Sequence, residues 1–241
     1  MKSSEFQHKI QETHEQVAGQ YSQVPEGRRV EKVRRLFAEF PGRQKALDIG
    51  CGNGGILAPF ATAHEIHGVE LYGPLVPVAV KNGLRAVEHD LEGGPLPYAD
   101  STFDVVFCGE TIEHQVDTDG LLAEINRVLK PGGQLILTYP NIRTLLSLVM
   151  MVFDMPPMYA ARYRAPHFRD FTLKTIRIAL RQHSFAIERA IGSAFYVPKL
   201  GDCCSALATV LPSWASTVIV VARKLKNSDY DPAAPLDCQI Y

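Results

Sequence analysis

Apolar and polar positions along the chain change rhythm twice, and each change predicts a different architecture. From Lys2 to Phe40 the chain is polar and helix-compatible. Val30, Val33, Phe37 and Phe40 recur there at helical spacing among Arg28, Arg29, Lys32, Arg34 and Arg35, as in an amphipathic helix laid on a larger body. Pro41 and Gly42 end that pattern. From Lys45 onward, short apolar runs are separated by Gly, Pro and Asp. Ala46–Ile49, Glu65–Val69, Arg85–Glu88, Val105–Gly109 and Gln134–Tyr139 read as strands, with helices expected near Ile56–Ala63, Leu75–Asn82 and Gly120–Leu129. Alternation of this kind predicts an α/β fold, a doubly wound, mostly parallel sheet with helices on both faces.

After Pro140 the alternation stops. Residues 143–171 are too long for an ordinary connection and carry apolar, Met, Tyr and Arg side chains with Pro156, Pro157 and Pro166, so an inserted cap is expected. A helix over Leu173–Gln182 and strands over Phe185–Ile191 and Thr217–Ala222 then complete the sheet. The expected organisation is a helical segment over 1–44, a main domain over 45–224 and a flexible tail over 225–241. Neither Leu145–Phe153, which is too short, nor Ala206–Ala222, which contains Pro212, Ser213, Ser216 and Thr217, reads as a membrane span.

Composition narrows the picture. The 241 residues are 46% hydrophobic and 21% charged, enough for one substantial core and incompatible with disorder. With 25 basic and 26 acidic side chains the formal net charge is -1, so the long-range field of a general nucleic-acid binder is missing and no nucleic-acid partner is expected. Five cysteines form no C-x-x-C pair, and Met1–Gln23 lacks an apolar leader, so reduced thiols and a cytoplasmic location are expected. No His and carboxylate cluster has ligand-like spacing, and His64-Glu65-Ile66-His67 lacks the i, i+4 pair of a helical zinc site; no metal is expected.

The most informative stretch is Leu47-Asp48-Ile49-Gly50-Cys51-Gly52-Asn53-Gly54-Gly55. Glycines after a first strand let the backbone turn tightly and approach a ligand. The same spacing also satisfies a dinucleotide fingerprint, but Asp48 would repel a pyrophosphate while suiting a cationic cofactor. Glu70 ends the second strand, where a carboxylate can accept from ribose hydroxyls, and Asp90 follows the third, where it can accept from an adenine amino group.

LDIGCGNGG, GVE, EHDLEGGPLPYADSTFDVVFCGETIEH and LLAEINRVLKPGGQLILTYPN follow one another in the order found in class I S-adenosylmethionine-dependent methyltransferases. The chain resembles the type 11 and MetW-like branches, strongly over about Lys45–Asn141 and loosely to about Gly192. The resemblance implies a Rossmann-like sheet of seven strands, mostly parallel with an antiparallel last strand. It also implies S-adenosyl-L-methionine as cofactor, S-adenosyl-L-homocysteine as product, and methyl transfer to a small molecule, with oxygen slightly ahead of nitrogen or carbon.

By the same resemblance Gly50, Gly52 and Gly54 shape the cofactor loop together with Asp48, Cys51 and Asn53. Glu70, with Leu71 beside it, holds the ribose; Asp90 and the Leu91 backbone hold the adenine. Cys108, Gly109 and Glu110 line the methionine moiety, and Tyr21 folds over the cofactor. A non-catalytic, cofactor-binding partner of another enzyme is the alternative that the MetW-like branch allows.

The acceptor side is less defined. His114, beside Glu113 at the end of the fourth strand, is the expected general base, since an imidazole with a pKa near about 6.5 suits proton removal. Tyr139 and Asn141 are expected to border the acceptor pocket. Arg164 and His167, within the insert, are expected near its mouth, where a cation would suit an acidic acceptor. Residues 145–158 leave open a lid, a protein interface, peripheral membrane contact or plain core, and the chain can be a monomer or a homodimer.

Overall fold

A computed structural model describes residues 27–157, 167–197, 199 and 201–230. Helix α1 (Arg28–Ala38) precedes β1 (Lys45–Ile49), β2 (Glu65–Glu70), α2 (Val76–Lys81), β3 (Arg85–Glu88), β4 (Phe103–Gly109), α3 (Thr118–Val128) and β5 (Leu129–Pro140). Then follow α4 (Leu145–Val152), α5 (Leu173–Gln182), β6 (Phe185–Gly192), the short strands β7 (Phe195–Val197) and β8 (Gly201–Cys203), α6 (Ser205–Val210) and β9 (Thr217–Lys224).

The sheet has seven strands in the order β3-β2-β1-β4-β5-β9-β6. Pairs from β3 through β5 are parallel, and β9 runs antiparallel to both neighbours. The expected fold class is therefore the observed one, with the antiparallel strand inserted next to the edge. Strands β7 and β8 form a separate hairpin.

Period-two alternation sorts each central strand between two cores. Leu47, Val106, Leu135, Leu137, Val218 and Val220 face α3 and α5, where Leu122, Ile125, Ile176 and Leu180 are fully buried. Ala46, Val105, Phe107, Ile136, Ile219 and Val221 face α1, with Val33, Leu36 and Phe37. Both faces of a parallel sheet are thus covered, as its near-continuous apolar strands require. The N-terminal helix is pinned by more than this stripe: Lys32 Nζ donates to the carbonyls of Gly192, Ser193 and Ser205 and to Thr209 Oγ1.

The helix expected over Ile56–Ala63 is not formed. A series of turns with one 3-10 turn at Ala58–Phe60 replaces it, because Pro59 has no amide to continue an α-helical ladder. The Gly55 and Ile56 carbonyls left over accept instead from the Arg34 guanidinium at 2.8 and 3.1 Å. Helix α4 also departs from the plain-core option, since Leu145, Val149, Val152 and Phe153 are exposed. No helix among the described residues is long and apolar enough to cross a membrane.

Candidate functional site

Strand order reverses between β1 and β4, and this switch point opens a crevice at the carboxyl ends of the strands, where ligands of doubly wound sheets sit. The glycine loop rises from β1 into that crevice. Gly50, Gly52 and Gly54 have φ of 68°, 55° and 74°, left-handed values that suit glycine. At Gly52 an added Cβ would meet nothing within 4 Å, so the loop has open space there. At Gly50 a Cβ would lie 2.5 Å from Thr111 Oγ1, which packs the loop against the end of β4 and donates to the Ile49 carbonyl.

Two asparagines hold the loop from below. Asn53 Oδ1 accepts from the Gly55 amide, and the Asn53 carbonyl accepts from Asn82 Nδ2. Glu70, at the end of β2, accepts from the Gly52 amide at 2.7 Å and from the Tyr72 amide at 2.9 Å. Its carboxylate is therefore fixed beside the loop, with lone pairs left over for a ligand hydroxyl. Leu71 next to it is exposed. Asp90 Oδ1 accepts from the Glu92 amide and its carbonyl from the Gly93 amide, which curls the chain after β3; Leu91 is partly buried against the core.

Asp48 is buried, and burial followed by the nearby Glu70 charge pushes its carboxyl well above the usual carboxylate range. Cys51 and Cys108 are buried thiols, both pushed up chiefly by desolvation, so neither is a ready nucleophile. Gly109 ends β4, and Glu110 turns away from it at φ 53° while its carboxylate accepts from Thr138 Oγ1 at 3.0 Å.

On the acceptor side, the 3-10 turn Ile112–His114 follows Thr111 directly. Glu113 is 2% exposed and its Oε2 has no hydrogen-bond partner. Burial, then the Glu110 charge, pushes its carboxyl well up. The Glu113 carbonyl accepts from the Phe168 and Arg169 amides, which brings the distant His167 over His114 with ring centroids 4.9 Å apart.

Tyr139 and Asn141, expected to border the acceptor pocket, are packed into the interior. Tyr139 is fully buried against Phe171, and Asn141 is fully buried with Nδ2 donating to the carbonyls of Arg143, Ser213 and Ala215. Tyr21 and Arg164 lie outside the described residues.

One participant escaped the sequence reading. Arg29 comes from α1, the element least like a site, and its Nη1 is buried with no hydrogen-bond partner. Its charge draws down both the Asp48 and Glu113 carboxyls, opposing their burial. The only signal in the sequence was an arginine beside the apolar stripe, which reads equally as a solvated face.

Comparison with known proteins agrees with this geometry. The family described as Methyltransferase domain matches residues 47–137. A phosphoethanolamine N-methyltransferase of Caenorhabditis elegans is 30% identical over 114 residues, 44% of this chain and 26% of that protein. The 27-O-demethylrifamycin SV methyltransferase of Amycolatopsis mediterranei is 35% identical over 113 residues, 43% of this chain and 42% of that protein. The chain spans less than two thirds of the length of these curated relatives.

A SAM-dependent methyltransferase structure from Thermotoga maritima superposes with a TM-score of 0.66 at 19% identity, covering 88% of this chain and 99% of that one, which shows the shared fold. The residues present suit the cofactor that family and fold imply: an open left-handed glycine at the loop's tip, a carboxylate fixed beside it, and buried acids facing what would be a cationic group. Residues 47–137 thus match the methyltransferase domain family, on a fold shared with solved S-adenosylmethionine-dependent methyltransferases.

Proposed function

We propose that this chain transfers a methyl group to a small-molecule acceptor, with oxygen the favoured atom. The observation that carries the reading is the fixed Glu70 carboxylate, bonded at once to the glycine loop and to the chain leaving β2. Glu70 would hold the ribose, and the Gly50–Gly54 loop would leave room for the backbone to approach the cofactor. Asp90 and the Leu91 backbone would hold the adenine, with Asp48, Gly109 and Glu110 beside the methionine end. The buried, unpartnered Arg29 Nη1 supplies an anchor for a carboxylate, such as that of the cofactor's amino-acid end.

When bound, the cofactor supplies an activated methyl group on a sulfonium, so the protein's share of the work is positioning and exclusion of water. Glu113, His114 and His167 form the acceptor-facing wall, one turn beyond the loop contact made by Thr111. The acidic surroundings of Asp48 and Glu70 favour a cation at the transfer centre.

Calorimetry with S-adenosylmethionine and S-adenosylhomocysteine, followed by a tritiated-methyl transfer assay on fractionated small-molecule extracts, tests this. Binding with transfer into a small-molecule fraction supports the proposal. Tight NAD binding without S-adenosylmethionine binding, or cofactor binding with no transfer to any fraction, overturns it.

A further inference from the structure

Among the described residues, one group of three metal-ligating side chains is assembled by the fold: Glu113, His114 and His167, whose donor atoms all lie within 4.8 Å of one another. We propose that these three side chains bind a divalent transition-metal ion on the acceptor side of the crevice, leaving open coordination positions for an acceptor oxygen.

Four observations carry the inference. First, the set is chemically coherent: two imidazoles and one carboxylate suit first-row divalent ions, and three protein ligands leave a position open as in catalytic sites. Second, Glu113 is 2% exposed and its Oε2 has no hydrogen-bond partner, an expensive arrangement for a buried carboxylate unless something cationic meets it. Third, His114 Nε2 lies 3.9 Å from Glu113 Oε1, too long for a hydrogen bond, yet near the spacing at which a shared ion would hold both.

A tetrahedral ion with ligand bonds of about 2.1 Å keeps its donors about 3.4 Å apart, so closure from a spacing of 4.8 Å takes roughly 1.4 Å of side-chain movement. Fourth, the histidines stay reachable, both partly exposed, while the carboxylate is anchored by the turn that bonds the returning chain at Phe168 and Arg169. A rigid buried ligand with two adjustable ones at the surface provides an entry path.

The site lies next to the glycine loop, since Thr111 packs on Gly50 and the turn bearing Glu113 and His114 starts at the next residue. A hydroxyl bound through an open position would have its pKa lowered and lose its proton to solvent, so no protein base is needed. The His114 lone pair is then committed to the ion, which replaces the general-base role that the sequence suggested. This acceptor role rests on the methyltransferase reading; metal binding itself does not.

The test uses the whole chain, freed of metal with a chelator and titrated with cobalt(II), zinc and manganese(II). Calorimetry and the visible absorption of bound cobalt are expected to show one equivalent of ion on the histidine-containing site. His167→Ala, at a partly exposed position, should weaken binding roughly 100-fold and abolish the cobalt band while leaving S-adenosylhomocysteine binding and the circular dichroism unchanged. His114→Ala should do the same.

No stoichiometric binding of any of the three ions to the folded wild type overturns the proposal, as does binding that His167→Ala leaves unaltered. A cobalt signal dependent on His167 in a protein that binds no S-adenosylhomocysteine keeps the metal site and overturns the methyltransferase reading. Because Glu113→Gln alters a buried side chain, its loss of binding counts only when its thermal unfolding remains cooperative; His167→Ala decides the matter independently.

Discussion

The Glu70 carboxylate accepts a 2.7 Å hydrogen bond from the Gly52 amide, tying the end of β2 to the tip of the loop that follows β1. One side chain thus sets both the loop's shape and the position of a ligand-facing carboxylate. Glu70→Ala should weaken S-adenosylhomocysteine binding by about 10- to 100-fold, the scale of one or two charged hydrogen bonds. Isothermal calorimetry reads this directly, and unchanged affinity would contradict the assignment.

Gly50 and Gly52 separate stability from binding. Gly50→Ala combines left-handed strain with a Cβ 2.5 Å from the buried, β-branched Thr111, so a loss of about 3 kcal/mol is expected. Gly52→Ala meets nothing within 4 Å and should cost only about 1 kcal/mol while impairing cofactor binding. Urea unfolding beside calorimetry checks the contrast, and the reverse ranking of stabilities would refute it.

Asp48 gives a proton signature. Burial and the Glu70 charge raise its pKa in the ligand-free protein, and a cation arriving in the crevice should lower it again, releasing a proton at pH values between the two. Binding enthalpies measured in buffers of different ionisation heat should therefore diverge, with the divergence smaller in Asp48→Asn. Buffer-independent enthalpies in the wild type would remove the argument.

Acid sensitivity has a separate source. Asp119 is held below the usual carboxylate range by its hydrogen bond with His183, at 3.0 Å. A depressed carboxylate contributes stability above its unfolded pKa of about 3.9 and loses that contribution as pH falls through the lower folded value. Denaturant midpoints should thus fall more steeply below about pH 4 in the wild type than in Asp119→Asn. Parallel profiles for the two proteins would exclude the pair as a cause.

Lys32 should matter more than its place on an amphipathic helix suggests. Its ammonium meets four oxygens of the β6 end and α6, and Lys32→Met would remove these charged hydrogen bonds at a cost of about 2 kcal/mol. Urea unfolding would show a lower midpoint with little change in slope; an unshifted midpoint would mean that water replaces the ammonium.

What the sequence determined by itself is local. Strand alternation, the helix over Leu173–Gln182 and the left-handed glycines followed from period, capping and steric rules that operate within a few residues. Pro59 also carried its consequence locally, although the expected helix over Ile56–Ala63 overlooked it.

Only the tertiary structure decided which polar groups meet. The Arg29 charge acts on Asp48 and Glu113 because α1 packs over the sheet, and His167 reaches His114 because its chain returns to the Glu113 carbonyl. Tyr139 and Asn141, promising at a strand's end, are instead closed over by Phe171 and the segment before β9. Such encounters depend on how separate elements stack, and the short-range periodicities of a sequence do not encode those distances.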